Sequence, residues 1–247
     1  MTEKRIKIVA SIVHLLIFIL GMIAIFMQLI TKDKSSNLVI VNGYNIFRFF
    51  TNDGNIFISI VSLISFIYLI YSLISKKEYP KWLYLLNLMS ASSGGLIFLT
   101  VVFVLVPFYG AMLLKGYIMI MLHAINPILS ILLFIFYIKG YISKKESILG
   151  IIPMAIYGII ALALVISKVW VGNLIPYPFL RVYENPVWMS ILYITFMYLG
   201  TYGLSILLAL ASKKYNLFDA NNKNIGILIS VITLLVLIMA LIIISFI

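Results

Sequence analysis

The chain has 247 residues, of which 64% are hydrophobic and only 10% charged, with a mean hydropathy of +1.19. Soluble domains carry about 25% charged residues, so this composition excludes one. The net charge of +11 is spread over short polar segments rather than gathered in a stripe, which excludes a nucleic-acid surface, and the lack of cysteine excludes disulfide and thiolate chemistry.

A membrane-crossing helix needs about 20 mostly apolar residues. Seven runs meet that need, at about 6–30, 52–75, 82–107, 117–138, 147–167, 187–211 and 224–247. No alternating ten-residue pattern suggests a barrel, so the expected fold is an all-α polytopic transmembrane bundle in a single domain. The first run is too long for a signal-peptide core and lacks a small-residue cleavage site, so it is expected to stay as an anchor. Short polar segments such as SKKEYPK (75–81) and KGYISKKES (139–147) separate the spans and make neighbours antiparallel.

Lysine and arginine divide unevenly between the two sides. Twelve fall at the N-terminus and in the second, fourth and sixth loops, against six on the other side. The positive-inside rule places the N-terminus in the cytoplasm of a cell-membrane protein. Lysine outnumbers arginine 15 to 3 and isoleucine is abundant, which hints at a bacterial source.

Polar residues within spans face a bundle interior or a wet cavity. On the second span Arg48, Thr51, Asn55, Ser59 and Ser62 recur at steps of three and four, and form one stripe if the helix starts by Ile46. On the fourth span His123, Asn126 and Ser130 form another, with Pro127 expected to kink the helix. A softer third stripe on the sixth span holds Tyr198, Thr201, Tyr202 and Ser205. His123 lies about 9 Å into the fourth span at 1.5 Å per residue, in the same outer half as Thr51. The YPFLR stretch (177–181) caps that side, whereas His14 lies toward the other end.

A threonine hydroxyl becomes a nucleophile when a base takes its proton, and histidine, with an ordinary pKa near 6.5, suits that task. Thr51 and His123 are the one such pair at matching depth. Asn55, Asn126 or Arg48 could donate to an oxyanion, and Tyr177 and Arg181 join them as candidate substrate contacts. Asp53, two residues along the helix, points away from Thr51. This machinery suits hydrolysis of a long-chain ester drawn from the membrane lipid.

Plainer readings stand beside it. His123 and Asn126 equally serve as helix–helix hydrogen-bond partners. Thr51, Asn52 and Asp53 equally read as a helix N-cap, and Arg48 as an interface anchor. The run Ser90–Ala91–Ser92–Ser93–Gly94–Gly95 reads as a close-packing surface. No metal-ligand cluster and no Gly-rich phosphate loop is visible, and no cofactor is expected. The functional alternative is a non-catalytic transporter or accessory protein that binds a lipid or small molecule.

FRFFTNDGNIFI (47–58) resembles the F-T-x-x-x-N opening of the second span in the Pr6Pr family of bacterial multispan membrane proteins. LHAINPILSILLFIF (122–136) resembles its Leu-His-x-x-x-Pro helix, and IPYPFL (175–180) its Tyr-Pro-Phe-Leu outer loop. The three occur in the family's order over roughly residues 45 to 210. That family is similar to the androgen-induced and androgen-dependent TFPI-regulating proteins, intramembrane threonine hydrolases of fatty-acid esters of hydroxy fatty acids. The resemblance implies Thr51 and His123 as the essential pair. It implies a six-span core, to which the seventh span is an addition, and Arg181 stands where the bacterial relatives carry an acid.

Overall fold

The computed structural model describes residues 2–30, 43–110, 114, 116–138 and 140–219. The described residues form helices and connecting turns, with no strand among them. Six helices are long and apolar enough to cross a membrane: α1 (Glu3–Ile30), α2 (Phe50–Ser75), α3 (Lys81–Leu105), α4 (Tyr117–Tyr137), α5 (Glu146–Ile166) and α6 (Val187–Tyr215). The expected seventh span, at 224–247, lies outside the described residues. The architecture is an all-α, multi-pass bundle.

Each break has a local cause. Lys76 ends α2 with a left-handed backbone, φ 56°. Pro80 then supplies the extended residue before α3. Pro186 does the same for α6. In α4 a π turn, Met121–Ile125, lies just before Pro127. A proline ring presses on the carbonyl four residues back, here that of His123. The wider π turn makes room for that ring, at the kind of position where helices kink.

The core is concentrated in α1 to α4. α1 packs along α2, and α3 stands between α2, α4, the start of α5 and α6. The small-residue run of α3 is buried throughout, from Ser90 to Gly95, as a close-packing surface requires. A Cβ added at Gly94 would sit 3.0 Å from the carbonyl oxygen of Pro127, so α3 and α4 approach backbone to backbone. α5 and α6 are peripheral. Ile156, Ile159, Ile160, Phe196 and Leu199 lie on them exposed, as lipid-facing residues would.

One end of the bundle is basic and tied by polar contacts. Lys7 donates to the Ser72 hydroxyl at 3.1 Å, Lys81 pairs with Glu146, and Asn87 donates to Ser65, Tyr79 and the Leu83 carbonyl. The opposite end carries the start of α2, the end of α5 and the segment that joins α5 to α6.

Candidate functional site

α2 does not begin where its polar stripe begins. Residues Gly43–Arg48 form a 3-10 turn, Phe49 is extended, and the α-helix starts at Phe50. Arg48 therefore lies outside the helix and off the stripe, a break that the flanking apolar residues Ile46, Phe47, Phe49 and Phe50 do not mark in the sequence. Asn52 stitches the two pieces together by donating to the Ile46 carbonyl at 2.9 Å. Asn55, Ser59 and Ser62 do share a face, and all three are buried.

No side chain of α2 caps its own N-terminus. The cap comes from the α5–α6 segment, where the Tyr177 oxygen accepts the Phe50 amide at 3.1 Å. The amide and hydroxyl of Thr51 face the same oxygen. The N-cap reading of Thr51 thus gives way to one in which Thr51 occupies the first turn, half-buried, with its hydroxyl beside a phenol. Burial raises the Tyr177 pKa above its ordinary value, partly offset by the Phe50 amide, so the phenol stays protonated. Tyr157 on α5 donates to the Arg48 carbonyl at 2.6 Å. Arg48 donates in turn to the carbonyls of Asn45 and Asn173, each at 3.3 Å.

On the other side of Thr51 stands α4. The Asn55 amide donates to the Thr51 carbonyl at 2.7 Å and to the Leu122 carbonyl at 2.8 Å. One nitrogen thus joins the first turn of α2 to the π turn that carries His123. His123 is buried there. One turn deeper, Asn126 and Ser59 are both buried and meet Gly21 of α1. The Asn55 and Asn126 side-chain oxygens and the Ser59 hydroxyl have no hydrogen-bond partner, so the interface of α1, α2 and α4 has an unsatisfied polar interior.

Thr51, Asn55, Tyr177 and the turn of His123 thus come together from three segments distant in sequence. Arg181 is engaged elsewhere, paired with Glu184 at 3.1 Å. Thr201 and Ser205 of the α6 stripe are buried against α5, where Ser205 donates to the Ser147 carbonyl at 2.6 Å.

A cavity of about 290 Å³ opens beside this cluster, between α2 and α5. Its wall includes Asp53, Phe50, Phe57, Tyr157 and Trp170, but neither Thr51 nor His123. At about 100° of rotation per residue, the cavity face of α2, along Phe50, Gly54 and Phe57, is roughly a third of a turn from Thr51. Sequence reading set Asp53 aside because it points away from Thr51, and it is Asp53 that meets the cavity. Tyr157 escaped notice as well. Its one signal is a phenol in an otherwise apolar span. Among the described residues, no group of three potential metal-ligating side chains gathers.

Comparison with models of protein families, with curated proteins and with solved structures finds no match for this chain.

Proposed function

We propose that this multi-pass protein lies in the cell membrane with its N-terminus in the cytoplasm, and that it hydrolyses long-chain esters in its outer half. One observation carries the reading. Thr51 stands between the Tyr177 oxygen and, through Asn55, the backbone turn of His123. The three segments that resemble the Pr6Pr motifs are the three that converge there.

In this mechanism His123 takes the proton of the Thr51 hydroxyl as the threonine oxygen attacks the acyl carbon. Asn126, whose amide nitrogen has no hydrogen-bond partner, offers the donor for the developing oxyanion, while Asn55 uses both of its N–H groups to hold the Thr51 and Leu122 carbonyls. The tetrahedral species collapses when the ester C–O bond breaks and His123 returns the proton to the leaving alcohol. Water then hydrolyses the acyl-threonine, with His123 again as base.

A fluorophosphonate probe on the purified protein tests this. Labelling is expected in the wild type and in Thr51→Ser, and is lost in Thr51→Ala and His123→Ala. Absent labelling, or labelling that survives both alanine variants, overturns the hydrolase.

The cavity favours a second reading, in which the chain binds a lipid or small molecule without turning it over. It lies on the Asp53 face of α2 rather than at Thr51. Thr51→Ala would then leave ligand binding unchanged.

A further inference from the structure

We infer that the cavity between α2 and α5 is a binding site for an organic cation with an apolar tail, of the trimethylammonium or alkylamine class. The inference deepens the second reading above and does not depend on the first.

Five aromatic side chains line the cavity, those of Phe47, Phe50, Phe57, Tyr157 and Trp170, together with the carboxylate of Asp53. Asp53 is the one charged residue of the lining. No described side chain forms an ion pair with it. The nearest cation in sequence, Arg48, is turned toward the carbonyls of Asn45 and Asn173. A carboxylate set in an apolar wall without a counter-charge is costly. A ligand that brings the counter-charge removes that cost.

The rings decide which cation. A quaternary or alkylated ammonium is attracted to ring faces and sheds its weakly held water readily. A small inorganic ion would keep its hydration shell and needs oxygen ligands that this wall lacks. The volume matches a headgroup with a short chain, at the lower limit of about 300 Å³ for small-molecule sites. Ile156 and Ile160 both line the cavity and are exposed, so a longer tail can leave it along α5 toward the surface that lipid would cover. The same chemistry could come from a choline-type lipid headgroup or from a free lipophilic cation.

The test uses the full chain in an uncharged detergent, with Trp170 fluorescence as the readout. The probes are hexyltrimethylammonium, its carbon-for-nitrogen neutral isostere 2,2-dimethyloctane, and dihexanoylphosphatidylcholine. Saturable binding of hexyltrimethylammonium is expected, with the signal lost in Trp170→Phe. Affinity should fall roughly tenfold or more in Asp53→Asn, and by a smaller factor in Phe57→Leu. Binding of the phosphatidylcholine as well would support a lipid headgroup as the source, and binding of the free cation alone would support a soluble one. Equal affinity in wild type and Asp53→Asn, at unchanged melting temperature, overturns the inference. Equal affinity for the neutral isostere also overturns it, while leaving the cavity as an apolar site. No saturable binding of any probe removes the cavity reading itself.

Discussion

The phenolic oxygen of Tyr177 lies 3.1 Å from the amide nitrogen of Phe50, and so caps a helix that begins 127 residues earlier in the chain. Helix N-termini leave amides without partners, and a nearby Ser, Thr, Asp or Asn usually supplies the acceptor. Here Phe49 holds the cap position and can supply none. The consequence is a tertiary cap. The loop that joins α5 to α6 is bound to the start of α2, and Thr51 is held in place by a residue from the other half of the chain.

Replacing Tyr177 by Phe keeps the ring packing against Phe49 and Phe179 and removes the acceptor. The expected cost is about 1 kcal/mol, the usual value of a lost cap. Thermal or denaturant unfolding in detergent measures it. Alkaline pH provides a second check with a defined sign. Burial raises the Tyr177 pKa in the folded protein relative to about 10 in the unfolded chain. The neutral phenol thus favours the fold below pH 10, and that contribution fades as pH rises beyond it. Tyr177→Phe should show a shallower alkaline loss of stability than the wild type. Equal alkaline slopes would show that the phenol does not hold this position.

Six of the seven expected spans were legible in the sequence and appear as long apolar helices among the described residues, because a long apolar run between short polar segments favours a helix. The start of α2 was not. Ile46, Phe47, Phe49 and Phe50 flank Arg48 without a helix-breaking residue, and only the extended backbone of Phe49 separates the 3-10 turn from the helix. Arg48 consequently joined a helical stripe to which it does not belong. The depth reading placed Thr51 and His123 in one half of the bundle, since the second and fourth spans run in the same direction and both residues are counted from their outer ends. The Asp53 cavity was illegible for a different reason. It depends on which face of α5 meets α2, and α5 is apolar nearly all round, so its pattern marks no preferred face.

The basic end and the Tyr177 end are expected on opposite sides of the membrane. The chain has no cysteine, so single introduced thiols report without interference. Asn173→Cys, at an exposed site near the Tyr177 end, should react with a membrane-impermeant maleimide in intact cells. Lys144→Cys, exposed at the basic end, should react only after permeabilisation. The reverse pattern would invert the bundle and move Thr51 to the cytoplasmic leaflet.

Gly94 tests how close α3 and α4 must stand. A Cβ there would meet the Ser130 hydroxyl, which can rotate away. It would also lie 3.0 Å and 3.1 Å from the carbonyl oxygen and Cα of Pro127, which cannot. Gly94→Ala is therefore expected to force the helices apart and to cost about 1–3 kcal/mol, the range for overpacking. Gly200, with nothing near its Cβ position, is the control, and Gly200→Ala should be neutral or slightly stabilising. Unfolding midpoints for the two variants decide the matter, and equal effects would count against close α3–α4 packing.

Asn55 carries the most consequence for the site, because one amide nitrogen serves two helices. Asn55→Leu keeps the branched, four-heavy-atom shape and removes both bonds, leaving the Leu122 carbonyl on the widened turn without this donor. Buried hydrogen bonds of this kind contribute about 0.5–1.5 kcal/mol each in soluble proteins, and about 0.6 on average between membrane helices. A loss of roughly 1–2 kcal/mol is therefore expected for Asn55→Leu. Asn55→Asp has a different outcome. Its carboxylate would face two carbonyl oxygens with no proton to give, so it should destabilise more than leucine does. Measured stabilities in the order wild type, Asn55→Leu, Asn55→Asp would establish the nitrogen as a donor to both helices. If aspartate were tolerated as well as leucine, the bridge from Thr51 to the turn of His123 would not exist, and the convergence on which the hydrolase proposal rests would go with it.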